Sequence, residues 1–250
     1  PDQRSMQALF QEILAADEPL FRELRLNGLA MPLPEDRAEL KTGSFEWLSN
    51  RPARYRINLS GLSLPAVLQG YGLALPGLDT IRLDADISVE EQGQDSILEK
   101  GMVKAANLGD LRYSLLISGN TEGMDQQQAL FSQTYGDLKL RFKDHGLMGR
   151  LASCCPRTGG PLRVHRRVNN FCVQTTSENR ALAAALETFV NRPGSLEISS
   201  TPGRLYNLTE VLDALAAGNP GALFRAEAQP GAESLEQQAA SINAGQSPQP

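Results

Sequence analysis

A period-two alternation of apolar and polar side chains is the feature that most constrains the fold of this chain. It is clearest from Thr80 to Glu90. Alternate residues of a strand point to opposite faces, so this pattern gives a strand one apolar face and one polar face. The apolar members are Ile81, Leu83, Ala85, Ile87 and Val89. One buried face and one solvent-exposed face are typical of an antiparallel sheet, so the pattern favours an antiparallel sheet.

The same alternation recurs on both sides of this segment. It is present near residues 24–28, 39–47 and 54–59, and further strands are predicted at Ile97–Lys104, Leu111–Ser118 and Asp137–Phe142. Glycines separate these later segments, as expected of turns. No rhythm of strand, helix and strand over about 30 residues is visible, which disfavours a Rossmann-type sheet. The sequence predicts a long, twisted, mainly antiparallel sheet from about residue 22 to 143.

Helical periodicity appears outside the alternating region. Apolar residues with the spacing of one helix face predict a helix over 6–16, and alanine-rich residues 178–190 predict the strongest helix, with Ser177 as its cap. Shorter helices are predicted at 125–132, with Asp125 as cap, at 147–151, and up to Ala217, with Asn207 or Thr209 as cap and Gly218 after its end. Leu196 and Ile198 indicate a short strand. The predicted class is α+β, with helices from the N-terminus and the C-terminal third packed on one face of the sheet.

The predicted organisation is one domain over residues 1–225 followed by a disordered tail over 226–250. Within the domain, the sheet-rich part is 22–143 and the mainly helical part is 178–225. Twenty-two of the 25 tail residues are Ala, Gln, Ser, Gly, Pro or Glu. Such a composition offers little apolar area to offset the entropy of ordering, so it predicts disorder.

Residues 145–177 form an irregular basic segment without a single Asp or Glu. The segment contains all three cysteines and both histidines. One interpretation is a loop that binds an anion through Arg157, Arg163, Arg166 and Arg167. A second is an ordinary irregular surface loop. A third is a foreign insertion or a reading-frame error, because the composition changes abruptly between two well-patterned flanks.

Motifs for catalysis and cofactor binding are absent from the sequence. It contains no phosphate loop, no dinucleotide fingerprint and no nucleophile elbow. Cys154, Cys155, Cys172 and His165 lack the usual spacing of zinc ligands, so no metal or cofactor is predicted. Free thiols are favoured over a bridge to Cys172. Nothing in the sequence brings a cysteine nucleophile and a histidine base together.

Asp84 and Asp86 lie two residues apart and therefore on one strand face. They could act as paired carboxylates in acid–base chemistry. The simpler interpretation is a solvated strand face beside Arg82. An enzyme of unrecognised type is kept as the minority hypothesis, and the sequence leans towards a non-catalytic protein.

Charge and hydropathy limit the partners. The net charge is −5, which disfavours nucleic acid as a ligand, although a local basic patch is compatible with it. No stretch approaches the roughly 20 apolar residues of a spanning helix, so no membrane-spanning segment is predicted in this chain. No signal peptide is visible at Pro1. A signal or anchor removed before that residue stays open.

Several phrases resemble a known group of proteins. They include Leu-Arg-Leu-Asn-Gly-Leu at 24–29, Tyr-Gly-Asp-Leu-Lys-Leu-Arg-Phe at 135–142 and Leu-Glu-Thr-Phe-Val-Asn-Arg-Pro-Gly-Ser-Leu-Glu-Ile at 186–198. These resemble uncharacterised bacterial envelope proteins of the AsmA-like or YdgA-like kind. The resemblance implies a β-rich periplasmic protein with a role in lipid handling or outer-membrane biogenesis. It assigns no functional residues.

The functional expectation is a non-catalytic binding or structural module of the cell envelope that takes up a lipid or another apolar ligand. The predicted ligand-binding residues share the apolar strand faces: Ile81, Leu83, Ile87, Val89, Leu115 and Ile117. If the helices at 6–16 and 178–190 cover these residues, the six apolar side chains belong to an ordinary hydrophobic core instead. The other alternative is a scaffold that binds an envelope protein partner.

Overall fold

A single large antiparallel sheet organises the part of the chain that the structure describes. The computed structural model describes residues 22–32, 37–50, 52–65, 67–68, 73–75, 77–93, 96–119, 128, 131–153 and 176–244. The predicted helix at 6–16 lies outside these residues, and so does most of the predicted helix at 125–132. The strands in chain order are β1 (Glu23–Pro32), β2 (Arg37–Asn50), β3 (Ala53–Pro65), β4 (Val67–Leu68), β5 (Leu73–Ala74), β6 (Thr80–Glu91), β7 (Ser96–Ala105), β8 (Gly109–Ser118), β9 (Thr134–Asp144), β10 (Ser195–Ser200), β11 (Leu205–Asn207) and β12 (Phe224–Gln229).

The sheet runs in the order β1-β2-β3-β6-β7-β8-β9-β10-β12, with β11 paired to β9. Every pairing is antiparallel, and β4 and β5 form a separate two-stranded sheet. The predicted meander is confirmed, because each strand predicted between residues 80 and 142 is present within two or three residues of its expected ends. The segment 178–225, which was predicted as mainly helical, also contributes β10, β11 and the start of β12 to the sheet.

In the described part of the chain, four α-helices accompany the sheet: α1 (Leu147–Ser153), α2 (Ser177–Asn191), α3 (Leu208–Ala216) and α4 (Leu235–Asn243). The cap predicted for α2 is wrong by one residue. Thr176 has extended backbone and its hydroxyl accepts a hydrogen bond from Asn179 N at 3.2 Å, whereas Ser177 is already the first helical residue. Asn207 caps α3 by accepting from Glu210 N at 2.7 Å, and Gly218 follows that helix with φ +65°.

The helices gather at the end of the sheet formed by the last strands. Helix α2 packs on β12 and β10, and Phe189 of α2 meets Phe142 of β9 edge-on, with ring centroids 6.0 Å apart. Helices α1 and α4 pack on each other. Ala152, Val190, Leu235 and Ala239 form a buried cluster between α1, α2 and α4. None of the helices in the described ranges has the length and apolar character needed to cross a membrane.

The prediction of a disordered tail from residue 226 is wrong as far as residue 244. Residues up to Gln229 belong to β12, and α4 follows with a capping box between Ser234 and Gln237. The prediction from composition did not take into account the spacing of the few apolar residues. Leu235, Ala239 and Ile242 recur on one helix face, and all three are buried. Residues 245–250 lie outside the described part of the chain.

We expect Leu235→Ala to lower the free energy of unfolding by about 3 kcal/mol, because the side chain is 1% exposed and its loss leaves a cavity. Urea unfolding measures the change. Glu236→Ala, on the exposed side of the same turn, is the control and should shift stability by no more than about 0.5 kcal/mol. Equal stability of both variants would show that α4 is not part of the cooperatively folded unit.

Candidate functional site

One face of the sheet between β2 and β8 is built mainly of apolar side chains, and we call it the apolar face. Cross-strand register defines it by two adjacent rows: Phe45, Ile57, Ile87, Gly101 and Tyr113, then Trp47, Tyr55, Val89, Glu99 and Leu115. The face is continuous over five strands. None of the described helices packs extensively on these strands.

The structure brings the six predicted ligand-binding residues to this one face. Ile81, Leu83, Ile87 and Val89 follow β6, and Leu115 and Ile117 lie two strands away on β8. Val89 is 7% exposed and belongs to the core. The other five are half-buried. Their shared position follows from the register, and ligand binding by them stays a prediction.

Sequence reasoning missed an aromatic cluster on the same face. The ring centroid of Tyr55 lies 5.4 Å from that of Phe45 and 6.1 Å from that of Trp47, in stacked arrangements. Burial raises the pKa of the Tyr55 phenol. The alternation in residues 44–47 and 55–59 could have predicted that these aromatic side chains lie on an apolar strand face. That Tyr55 lies beside Val89 follows only from the pairing of β3 with β6.

A carboxylate interrupts the apolar face at Glu99. The hydroxyl of Tyr113 donates a hydrogen bond to Glu99 Oε1 at 2.5 Å. Desolvation, and then this bond, raise the pKa of Tyr113, so its phenol stays a neutral donor. The ring of Tyr113 covers Gly101, where an added Cβ would lie 2.2 Å from Cε1. This close approach of the ring to the backbone requires glycine at position 101. The hydrogen-bonded pair of Tyr113 and Glu99 is a polar position on the apolar face.

A bulge in β3 keeps the apolar face continuous. Leu59 and Leu62 both lie opposite apolar residues of β6, although they are three positions apart, because one extra residue is inserted between them. Gly61 takes φ +67° at this point, a backbone conformation that glycine adopts readily. Asp84 Oδ1 accepts hydrogen bonds from Gly61 N at 2.8 Å and from Ser60 Oγ at 3.0 Å. The carboxylate thereby satisfies the amide that the bulge exposes.

Asp84 and Asp86 do share the polar strand face, as predicted, but each is engaged by β3. Asp86 accepts a hydrogen bond from Arg56 Nε at 2.8 Å, and Arg82 lies on the same strand face, as predicted. Hydrogen bonds lower the pKa of both carboxyl groups. Both are therefore ionised near neutral pH, which does not suit a pair that shares a proton.

The predicted anion-binding arginines cannot be placed. Arg157, Arg163, Arg166 and Arg167 lie outside the described residues, and so do the three cysteines and His165. The first part of this basic segment forms α1, as predicted, and Arg150 is buried there. His145 Nε2 lies 3.5 Å from Asp110 Oδ2. Within the described ranges, no group of three or more His, Cys, Asp or Glu is arranged to hold a metal ion.

Comparisons of the chain with protein-family models, with curated proteins and with solved structures found no match. The geometry alone therefore defines the class. It is an antiparallel sheet protein with an apolar face over β2–β8 and a helical cap at the other end.

We expect Asp84→Ala to destabilise the protein by about 1 kcal/mol at pH 7, because the bulge loses its acceptor. The pKa of Asp84 is lowered in the fold, so its stabilisation is present above the unfolded pKa of about 3.9 and is lost as the pH falls through the lower folded value. Urea unfolding at neutral and acid pH should show the two proteins converging below about pH 3. Asp213→Asn, on exposed α3, controls for charge alone, and a pH-independent gap would contradict the prediction.

Proposed function

We propose that this chain is a non-catalytic module that binds the acyl chain of a lipid, or an apolar ligand of similar shape, on its apolar face. The observation that carries the proposal is the row of half-buried apolar side chains across five neighbouring strands, on which no described helix packs extensively. Continuous apolar surface of this kind marks a binding surface in globular proteins.

The size of the apolar face suits an extended chain of methylene groups. Strands lie about 4.8 Å apart, so the rows from β2 to β8 span roughly 20 Å. Each methylene removed from water contributes about 0.8 kcal/mol, and a ligand that buried ten of them would gain about 8 kcal/mol before the cost of association. The aromatic side chains at the β2 end offer flat surfaces against which such a chain packs well.

The polar pair Glu99–Tyr113 gives this surface an orientation. Binding sites for apolar ligands commonly hold a few polar groups that fix how the ligand lies. The phenol is held as a donor to the carboxylate. We infer that the polar end of the ligand lies near this pair, while its chain extends across Ile87 and Ile57 towards Phe45.

A role in the bacterial envelope is part of the proposal and is supported by the resemblance of the strand phrases to AsmA-like and YdgA-like proteins. A periplasmic location fits a lipid-binding module of this kind. Fractionation of the native host tests the location independently of ligand binding, since recovery of the protein in the cytosol would remove the envelope role and leave the apolar face unchanged.

Trp47 is the only tryptophan and lies on the apolar face, so it reports directly on a bound chain. We expect a fatty acid brominated along its chain to quench Trp47 fluorescence with saturation. Ile87→Gln should weaken this binding about ten-fold, because it places an unpaired amide in the surface. Ser88→Gln changes the next residue, which points to the opposite face, and should bind as the wild type does.

Native mass spectrometry with lipid extraction provides the second readout. A co-purified lipid lost in Ile87→Gln would support the proposal. Equal quenching in both variants, or none in the wild type, would show that the face is covered core or a protein-binding surface. Thermal melting of each variant separates loss of binding from loss of fold.

A further inference from the structure

The polar face of the sheet carries six cations where β7, β8 and β9 run side by side, and we call them the basic strip. Its members are Lys100, Lys104, Arg112, Lys139, Arg141 and Lys143. All six are exposed. They occupy three neighbouring rows of the sheet, and in the central row Arg112 of β8 lies directly opposite Arg141 of β9.

The opposition of Arg112 and Arg141 is unfavourable in the unliganded protein. Directly opposed side chains have Cβ atoms about 5 Å apart, and like charges at such positions destabilise a sheet. Neither arginine forms an ion pair within the part of the chain that the structure describes. The carboxylates in these three rows are Asp110, which faces His145, Glu197 and Glu227 on β10 and β12, and Asp84 and Asp86 on β6. Asp84 lies opposite Lys104, Glu197 lies opposite Arg141, and Asp86 is bound by Arg56. Within β7, β8 and β9 the three rows hold six cations and one carboxylate, Asp110, so positive charge is concentrated there on a chain whose net charge is −5.

On the neighbouring strands, two arginines of the same face are neutralised by carboxylates. Arg54 pairs with Glu90 at 2.5 Å, and Arg56 pairs with Asp86. Each of these arginines of β3 thus has a carboxylate on β6. In the basic strip Lys104 lies opposite Asp84, but Arg112 and Arg141 have no ion pair among the described residues, so the charge of these two arginines is left available to a ligand.

The surface around Arg112 is concave. A cavity of about 460 Å³ is lined by Arg112, Arg141, Lys143 and Asp110, and by Ser195 at the start of β10 and Gln229 at the end of β12. Two further depressions, of about 240 and 720 Å³, also include Arg112 and continue along the strip past Lys139 and past Lys100. The hydroxyl of Ser195 donates to Gln229 Oε1 at 3.4 Å, and the side-chain NH₂ of Gln229 adds a neutral donor to the rim of the first cavity.

The rim is built from closely packed backbone. An added Cβ at Gly194 would lie 2.4 Å from Gln229 O, and one at Gly231 would lie 2.1 Å from Pro193 O. The amide of Gly231 donates to Arg192 O at 2.9 Å. These contacts hold the loop against the end of β10, so the cavity wall is formed in advance of any ligand.

We propose that the basic strip is a binding site for a phosphate-bearing anion, held between Arg112 and Arg141 with Lys143 beside them. Guanidinium groups bind phosphate oxygens in pairs of parallel hydrogen bonds, and a bound dianion replaces the repulsion between the arginines with attraction to both. The site lies on the face opposite the proposed acyl-binding surface. The proposal of an anion site therefore goes beyond the proposed function, and its test is independent of the test of acyl-chain binding.

Titration calorimetry of the full chain with inorganic phosphate, at about 50 mM NaCl, tests the site under weak screening. We expect saturable binding that Arg112→Gln and Arg141→Gln each weaken at least ten-fold. Arg112→Lys keeps the charge but not the fork of donors, and should bind with intermediate affinity. Arg54→Gln removes an exposed cation that already has a partner, and should leave the affinity within two-fold of the wild type. Ile87→Gln should bind phosphate normally, which separates this result from the acyl-binding proposal.

Thermal melting gives a second readout that a merely structural role would not produce. Without phosphate, Arg112→Gln should melt at or above the wild-type temperature, because it relieves the repulsion. Phosphate should raise the melting temperature of the wild type and not that of Arg112→Gln or Arg141→Gln. Equal shifts in all proteins, or no phosphate binding by the wild type, would overturn the proposal.

The source of the phosphate group is distinguished by two probes. Glycerol 3-phosphate represents a soluble metabolite, and vesicles of phosphatidylglycerol in phosphatidylcholine represent a lipid head group. If the wild type binds one of these probes and Arg112→Gln does not, the result supports the site and identifies the source of the phosphate group. Vesicle binding that both arginine variants retain would count against it.

Discussion

Cross-strand register is the constraint on which both surfaces of this sheet depend. Side chains alternate along every strand, so a slip of one residue would exchange the apolar face for the polar one. The bulge at Gly61 shows how the register is kept, because it shifts the alternation of β3 by one residue where Leu59 and Leu62 must both face the same side. The amide exposed by that shift is bound by Asp84. A polar contact on one face thus maintains the apolar surface on the other.

The helical end of the molecule fixes the strand that carries half of the basic strip. Phe142 of β9 is held by Phe189 of α2, and alternation then directs Arg141 and Lys143 to the opposite face. Helix α2 is itself anchored by Asn179, which is fully buried, donates to Gly218 O at 2.9 Å and accepts from Gly221 N at 2.7 Å. Because buried amides are costly to leave unpaired, these two bonds tie α2 to the segment that leads into β12.

The sequence alone predicts the structural features that depend on residues close together along the chain. It does not predict the features that depend on which strands pair and in which register. Strands such as Thr80–Glu91 were predictable because their alternation is local. Helix α4 was missed because composition hides the spacing of a few apolar residues. The basic strip was missed for a different reason: Arg112 and Arg141 are 29 positions apart, each sits in an ordinary alternating strand, and only the β8–β9 register makes them neighbours. A net charge of −5 conceals such a cluster.

The two proposed sites share an energetic logic. Half-buried apolar side chains and directly opposed arginines both lower the stability of the unliganded fold, the first through contact with water and the second through repulsion. Each penalty is removed only by a ligand of one kind, an apolar chain or an anion. A ligand at a hundred times its dissociation constant adds about 2.7 kcal/mol of stability, a large share of the margin of a typical domain. Because the sheet separates the two surfaces, the two ligands should stabilise the protein additively, unless strain passes through the strands β7 and β8 that both sites use.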